Sequence, residues 1–367
     1  MIKHIPLDQV KPGMVTAEAV HAPYQSLPVV QAQTVLTDEI IERFRQLYVK
    51  KIPVEIYQVP DREVPVQQEL PEIKPVLEDK LRKEAVSGIR HMFDVVSMGS
   101  GEEHLTTAFQ VVKELDVIVD KLVDTLSTES NALISITDLK SHDDYTYHHS
   151  LSVAVLTIAI SQGLNLSETA VKRMGRCAIM HDIGKMMVPL DVLNKNSRLD
   201  EREFAVIKKH SQNGFDYLVR GCIVDDEIRE GVLSHHEKMD GSGYPYGLRD
   251  KELPLMSRVV SIADVYDAVT SYRPYRSPMA PAEALELIMS EVGRSFDYDI
   301  VKTFINKINL YPINTCVELS NRRFGIVVDN TNAMRPVVKM LDNKETIDLM
   351  RRTNLNLIIT RVISGRR

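Results

Sequence analysis

The sequence predicts a mainly α protein with a small N-terminal α+β domain and a short C-terminal β appendage. Three observations along its 367 residues support this fold class. Short apolar segments interrupted by prolines come first, a long region with helical spacing of apolar residues follows, and short segments rich in β-branched residues come last. Because the middle region is the longest, helices should build most of the core.

Residues 1–70 are predicted to form the small α+β domain. Residues 29–30 and 52–57 are apolar and favour strands, and residues 37–48 have the spacing of a helix. Prolines are expected to interrupt the apolar segments at five positions, Pro6, Pro12, Pro23, Pro28 and Pro53. The acidic, proline-containing residues 60–75 are typical of a linker, so the domain should end there.

The rest of the chain divides into three predicted parts. Residues 71–136 are a linker and connecting helices, interrupted near Gly99 and Gly101. Residues 137–310 have the strongest helical pattern, and seven of the eleven histidines lie there, between His142 and His236. Residues 311–367 contain short β-branched segments at 315–319, 324–328 and 337–340, which predict a small antiparallel appendage. The histidine-rich part should carry the functional site.

Composition excludes some classes of function. The chain has 44% hydrophobic and 26% charged residues, as ordinary globular proteins do. Its formal net charge of -6 gives no overall basic field. Binding of a nucleic-acid polymer through phosphate neutralisation is therefore disfavoured, and a phosphate-containing ligand would need local cations.

Cysteine use and hydropathy indicate a compartment. The three cysteines, Cys177, Cys222 and Cys316, are odd in number and form no paired motif, which suits a reducing environment. Residues 1–9 lack the apolar run of a signal peptide. No stretch approaches the roughly 18 consecutive apolar residues of a spanning helix. We expect a cytoplasmic protein without membrane insertion.

One predicted helix, from Glu168 to about residue 182, has an apolar face that continues into His181 and Asp182. Burying an unpaired carboxylate is costly, so Asp182 must find a cation, a metal or a proton. For this dipeptide alone, a hydrogen-bonded core histidine beside a helix-capping aspartate is the preferred explanation.

The dipeptide is not alone, because four other predicted helices also direct histidine or aspartate toward the interior. Asp200 and Glu203 resemble a capping box that begins one of them. The inward faces of these helices contain His149; Phe204, Ile207, His210 and Gly214; His235 and His236; and Asp264 and Asp267. Without a metal, each would leave a buried polar group unsatisfied. Mixed imidazole and carboxylate donors without thiolate favour iron, manganese or another borderline divalent ion.

Two motifs extend this pattern and carry a family resemblance. The first is His181-Asp182-Ile183-Gly184-Lys185, and the second is His235-His236-Glu237-Lys238-Met239-Asp240-Gly241-Ser242-Gly243-Tyr244-Pro245. Both are similar to the signature motifs of HD-GYP phosphodiesterases, and the similarity extends to close to half of the chain. The resemblance implies an HD-domain helical bundle for residues 137–310. Residues 1–70 resemble, more loosely, the small domain that precedes bacterial HD-GYP domains.

The resemblance also implies a set of metal ligands and a mechanism. In the family the HD aspartate bridges two divalent ions, and a metal-bridging hydroxide attacks phosphorus in line. His148 competes with His149 for the first ligand position, but Thr146 and Ser150 align the motif on His149. The implied ligands are His149, His181, Asp182, His210, His235, His236 and Asp264.

A second set of residues is expected to contact the substrate. Lys185 is a candidate for stabilising the transition state, although a solvated lysine at a helix end is the alternative. The segment 240–247 contains three glycines and an aromatic ring, which suits a flat guanine base but also a tight turn. The candidates for substrate binding are Lys185, Asp240, Gly243, Tyr244, Pro245, Arg273 and Arg276.

By resemblance, the activity is hydrolysis of cyclic di-GMP to linear pGpG, with continuation to GMP as a further step. Three alternatives stay open: the same chemistry on 3'3'-cyclic GMP-AMP, a phosphohydrolase acting on mononucleotides or an alarmone, and a cyclic-dinucleotide receptor with little catalysis. The N-terminal domain contains no cluster of candidate ligands and is the expected contact for a second copy or a signalling partner.

The number of ions is predicted from one position. HD-GYP proteins with three metals have a glutamate four residues before the first histidine ligand, whereas this chain has Tyr145 there. A phenol with a pKa near about 10 is a poor ligand at neutral pH. We therefore expect a binuclear site.

Overall fold

In a computed structural model of the protein, the described residues are 2–10, 14, 16–23, 28–30, 36, 38–55, 76–98, 102–128, 145–193, 195, 197, 199–221, 224–271 and 278–363. Helices predominate among them, so the predicted fold class is confirmed. The chain divides into two compact units, Met1–Glu69 and Leu70–Arg367.

The first unit is a small α+β domain. Strand β1 (Ile2–Pro6) pairs with β4 (Lys51–Glu55), β2 (Val20–His21) pairs with β3 (Pro28–Val30), and α1 (Asp38–Gln46) contributes Phe44 to the core. The expectation that Pro53 interrupts its strand is wrong, because it lies opposite His4 within β4. Its carbonyl accepts a bond from Ala17 N–H, so the missing proline N–H leaves no donor unpaired.

The second unit is built around one buried helix. Helices α2 (Asp79–Ser97) and α3 (Glu102–Thr128) pack against α4 (Tyr145–Gly163) and α5 (Glu168–Met180). Helix α4 is apolar on nearly all sides, which is typical of a helix enclosed by others. No helix in the described part of the chain is both long and apolar enough to cross a membrane.

The remaining helices cover the other side of α4 and α5. They are α6 (Leu190–Leu193), α7 (Glu201–Lys208), α8 (His210–Gly221), α9 (Asp226–Ser234), α10 (Leu255–Thr270), α11 (Pro281–Ser290) and α12 (Tyr298–Ile305). The capping box of Asp200 and Glu203 is present. The single helix predicted to follow it is wrong, because Lys209 separates α7 from α8. Phe204, predicted on the inner face, is 46% exposed.

The C-terminal appendage is a five-stranded antiparallel sheet in the order β8-β7-β6-β5-β9. Its strands are β5 (Cys316–Leu319), β6 (Phe324–Asp329), β7 (Val337–Met340), β8 (Thr346–Asp348) and β9 (Ile359–Ile363). The first three strands were predicted from the sequence, and the last two were not. Arg335 stabilises this region by donating to the carbonyls of Leu349, Asn354, Leu355 and Leu357.

Candidate metal centre

One group of potential ligands joins three helices. His149 lies on α4, His181 directly after α5, and Asp264 on α10. Their ligand atoms lie within 4.8 Å of one another. Asp264 Oδ1 is 3.2 Å from His149 Nε2 and 4.0 Å from His181 Nε2. Of the adjacent pair His148 and His149, the second therefore belongs to this group.

A second group contains Asp182, His210, His235 and His236, with ligand atoms again within 4.8 Å of one another. His210 begins α8, and His235 and His236 follow directly after α9. The Nε2 atoms of His210 and His235 are 3.3 Å apart. All seven positions proposed as ligands are thus gathered in two neighbouring groups.

Asp182 connects the two groups. Its Oδ2 atom is 3.6 Å from His149 Nε2 and 3.3 Å from His181 Nε2, and its Oδ1 atom is 3.4 Å from His210 Nε2. One carboxylate oxygen therefore faces each group. This is the geometry that a carboxylate needs to contact two ions at once.

Local hydrogen bonds orient the imidazole rings. His181, His210 and His235 each stand where a helix ends, and the Nδ1 atom of each is 2.7 Å from the carbonyl oxygen three residues earlier. Those carbonyls belong to the last helical turns, where acceptors are available to side-chain donors. When Nδ1–H donates to the carbonyl, Nε2 is left as an acceptor directed at the site.

The orientation of His149 depends on a distant residue. Its Nδ1 atom is 2.7 Å from Oδ2 of Asp267, which is 1% exposed. Asp267 also accepts a bond from Ser271 Oγ. No role for Asp267 was predicted from the sequence, although its position three residues after Asp264, on the same helix face, pointed to this site.

Unsatisfied buried atoms show that this donor set fits metal ions. His181 is fully buried and Asp182 is 1% exposed, and neither His181 Nε2 nor Asp182 Oδ1 has a hydrogen-bond partner among the described residues. Leaving such atoms unpaired costs about 1–3 kcal/mol each. Two acceptor nitrogens 3.3 Å apart, in His210 and His235, also repel each other unless a cation lies near them.

Burial controls the protonation of the second group. It lowers the pKa of His236 to about 3, and it is the main reason that the pKa values of His210 and His235 lie below the ordinary histidine range. Burial disfavours the charged form of Asp182, but the charges of Lys185, His181 and His210 and a hydrogen bond with His181 together outweigh it and hold the pKa of that carboxyl well below its usual range. Neutral imidazole and ionised carboxylate are the forms that bind metals.

His149 differs from the other histidines. Burial alone would lower its pKa, but hydrogen bonds with Asp264 and Asp267 raise the pKa of His149 to about 9. In the metal-free protein this ring is therefore charged at neutral pH, and metal binding at its Nε2 atom would release a proton.

Lys185 lies in a short 3₁₀ helix (Ile183–Met187), and its ammonium is 2.5 Å from Asp182 Oδ2. It is therefore adjacent to the carboxylate that connects the two groups. Its side chain is 28% exposed and ion-paired, unlike that of a freely solvated lysine.

The segment after His236 forms a loop, residues 240–248, that covers one side of the site. The ring of Tyr244 lies against that of His236, with centroids 4.7 Å apart. Asp240, proposed as a substrate contact, accepts the N–H of Ser242 and faces Arg294 at 3.6 Å. Its contacts are thus to residues within and beside the loop.

Glu237 holds the 240–248 loop in place. It is 1% exposed, and its carboxylate accepts the backbone N–H groups of Tyr246, Gly247 and Leu248. Gly243 passes so close that an added Cβ atom would lie 2.4 Å from Glu237 Cα. The close packing of the loop against Glu237 explains this glycine. This role of Glu237 was not predicted from the sequence, although Glu237 directly follows the two histidines.

Three proposed substrate contacts, Pro245, Arg273 and Arg276, remain, together with Tyr145. Pro245 lies within the 240–248 loop and follows Tyr244 through a cis peptide bond. Arg273 and Arg276 lie outside the described residues. The side chain of Tyr145 also lies outside them, although its backbone begins α4.

We expect Glu237→Gln to loosen the 240–248 loop. One of the two accepting oxygens becomes an amide that faces N–H donors, and a hydrogen bond to a charged group contributes about 1.5–3 kcal/mol. Amide hydrogen exchange at Tyr246, Gly247 and Leu248 should become roughly 10- to 100-fold faster. Glu230→Gln, at an exposed residue of α9, is the matched control; equal exchange in both variants would contradict this role.

Part of the chain is similar to proteins of a known family. Residues 126–300 match the protein family described as HD domain. Cyclic di-GMP phosphodiesterase PA4108 of Pseudomonas aeruginosa is 35% identical over 266 residues, which cover 72% of this chain and 64% of that protein. A cyclic di-GMP phosphodiesterase of Thermotoga maritima is 36% identical over 164 residues, covering 44% of this chain and 45% of that protein.

A further relative carries a different substrate in its name. The 3'3'-cGAMP-specific phosphodiesterase 1 of Vibrio cholerae is 35% identical over 161 residues, covering 44% of this chain and 37% of that protein. The aligned region spans less than two thirds of the length of each of these three relatives.

Proposed function

Because this chain belongs to the HD-domain family and has the motifs of its HD-GYP branch, we propose that it is a metal-dependent phosphodiesterase that hydrolyses cyclic di-GMP to linear pGpG. The names of two relatives support this substrate. Further cleavage to GMP is an optional second step, since pGpG contains another phosphodiester of the same kind.

The observation that carries this proposal is the position of Asp182 between two groups of ligands. We assign one ion to His149, His181 and Asp264, the other to His210, His235 and His236, and Asp182 to both. Iron or manganese suits this mixture of imidazole and carboxylate donors. When bound, two such ions supply positive charge to phosphate oxygens and lower the pKa of water.

The other residues of the site prepare it for this chemistry. Asp267 orients His149, which keeps Nε2 directed toward Asp182 and Asp264. Lys185 provides a positive charge beside Asp182, where it can stabilise the negative charge that develops on the phosphate. The 240–248 loop covers His236 with the ring of Tyr244 and shields that ligand from water.

Substrate recognition is assigned to the loop and to cations near it. Tyr244 offers an aromatic surface for a guanine base. Asp240, Gly243 and Pro245 determine the course of the loop and act on the substrate through it. Arg273 and Arg276, predicted from the sequence, would contribute forked donors for phosphate.

Substrate and reaction can be tested together. Metal-loaded protein is incubated with cyclic di-GMP, 3'3'-cyclic GMP-AMP and cyclic di-AMP, and the products are separated by chromatography. We expect cyclic di-GMP to be consumed fastest, with pGpG as the first product. Preferred consumption of cyclic GMP-AMP would favour the alternative substrate, and tight binding without any product would favour a receptor.

We predict about two transition-metal ions per chain in anaerobically purified, active protein. The seven proposed ligands suffice for two ions, whereas Tyr145 stands where a third would need a carboxylate. Elemental analysis gives the number, and Tyr145→Glu is the informative variant because it supplies that carboxylate. Three tightly held ions in the unmodified protein would contradict the prediction.

The domain organisation is proposed on the sequence pattern: residues 1–70 as a regulatory domain, 71–136 as connecting helices, 137–310 as the catalytic domain and 311–367 as the appendage. We propose the first of these as the contact for a second copy or a signalling partner.

A location in the reducing cytoplasm is also proposed. The thiols of Cys177 and Cys316 are free, which supports this location.

A further inference from the structure

Lys208, the last residue of α7, places its ammonium beside two aromatic rings. Its Nζ atom lies 4.8 Å from the ring centroid of Phe204 and 5.2 Å from that of Tyr244. Tyr244 in turn lies against His236, a member of the second ligand group. The Lys208 ammonium is therefore only one side chain away from a proposed metal ligand.

Two acidic side chains of α7 and α8 have other partners. Glu203 accepts both of its ion-pair contacts from Lys195, and Asp216 accepts a bond from Gln212. Within the described part of the chain, Lys208 Nζ has no carboxylate partner and no hydrogen-bond acceptor. Contact with aromatic rings offsets some of the cost of half-burying a cation, but it leaves the three N–H donors available.

The surroundings of Lys208 form a rim beside the metal centre. Phe204, Lys208 and Gln212 follow one another at intervals of four residues along α7 and α8. The 240–248 loop faces them, because Tyr244 meets Lys208 and the Tyr246 hydroxyl lies 3.1 Å from Gln212 Oε1. Phe204 is 46% exposed and Tyr246 is 64% exposed. The rim thus presents a cation that contacts the exposed ring of Phe204 and the half-buried ring of Tyr244.

We propose that Lys208 binds the phosphate of the cyclic dinucleotide that is not being cleaved. The inference rests on the proposed function and identifies how that site recognises a ring with two phosphates. When one phosphodiester lies at the metal ligands, the second remains fully charged and must be held nearby. Lys185 is already paired with Asp182, whereas Lys208 has free donors next to the same site.

The first test compares Lys208→Met with Lys209→Met on two substrates. Methionine keeps most of the apolar stem, and Lys209 is an exposed neighbour that serves as the control. For Lys208→Met, kcat/KM for cyclic di-GMP should fall about 10- to 100-fold, the range for losing a hydrogen bond to a charged group. The loss for bis(p-nitrophenyl) phosphate, which has one phosphate, should be at least about five-fold smaller. Lys208→Arg should recover most of the activity.

The second test separates phosphate from base. Cyclic di-GMP and an analogue in which one of its two phosphodiesters is an uncharged methylphosphonate contain the same two guanines, so the ratio of their kcat/KM values measures what the second phosphate charge contributes while the other phosphodiester lies at the metal ligands. The ratio should move toward one in Lys208→Met and stay unchanged in Lys209→Met. An unchanged ratio in Lys208→Met, or equal losses on both substrates, would overturn the proposal.

These results are distinguishable from a failure of the proposed function. If the unmodified protein hydrolyses cyclic di-GMP while Lys208→Met behaves like Lys209→Met, only the assignment of Lys208 is wrong. If the unmodified, metal-loaded protein hydrolyses bis(p-nitrophenyl) phosphate but no cyclic dinucleotide, the proposed function is wrong and the assignment of Lys208 is overturned with it.

Discussion

Replacing Asp182 with asparagine should abolish hydrolysis of cyclic di-GMP, lowering kcat by at least about a thousandfold. Its two carboxylate oxygens face the two ligand groups separately, toward His149 and His181 on one side and His210 on the other. Asparagine keeps the shape but offers one neutral oxygen and an amide that cannot serve as a ligand. Both proposed ions should therefore bind more weakly.

The experiment measures kcat and metal content on the same anaerobically purified protein. Asp191→Asn is the matched control, because Asp191 is an exposed carboxylate on α6, outside both ligand groups. Circular dichroism and the thermal midpoint establish that each variant is folded. Normal turnover by Asp182→Asn with a full complement of metal would refute the assignment of this carboxylate to both ions.

Replacing Lys185 with methionine should lower kcat by roughly 30- to 1,000-fold, which corresponds to about 2–4 kcal/mol of transition-state stabilisation. The ammonium contacts Asp182, so we expect it to stabilise the negative charge that develops on the phosphate. The metal ligands themselves are unchanged in this variant. We therefore expect most of the metal to be retained, which distinguishes the loss from that in Asp182→Asn.

Lys195 is the matched control because its environment resembles that of Lys185. Lys195 is also ion-paired, with Glu203, and its side chain is 32% exposed compared with 28% for Lys185. Lys195→Met removes a comparable pair outside the two ligand groups and should leave kcat within about two-fold of the unmodified protein. A wild-type kcat for Lys185→Met at saturating cyclic di-GMP would show that its ion pair with Asp182 has only a structural role.

Much of the fold follows from local rules and was predictable. The capping box of Asp200 and Glu203 depends on residues three positions apart, and the strands near residues 316–340 depend on alternation and turns. The placement of His181, His210 and His235 on inward helix faces follows from the period of the apolar residues. The break at Lys209 between α7 and α8 and the exposure of Phe204 were not predicted, because periodicity does not show where a helix bends away from the core.

The sequence alone therefore determined the helical class, the motifs and the identity of the residues that could bind metal, since these depend on spacing between near neighbours. Only the tertiary structure decided which atoms meet. Asp267 orients His149 across 118 positions of sequence, the two oxygens of Asp182 face different groups, and Lys208 of α7 reaches Tyr244 of the 240–248 loop. Such contacts depend on how all the helices pack together, and spacing along the chain carries no record of that packing.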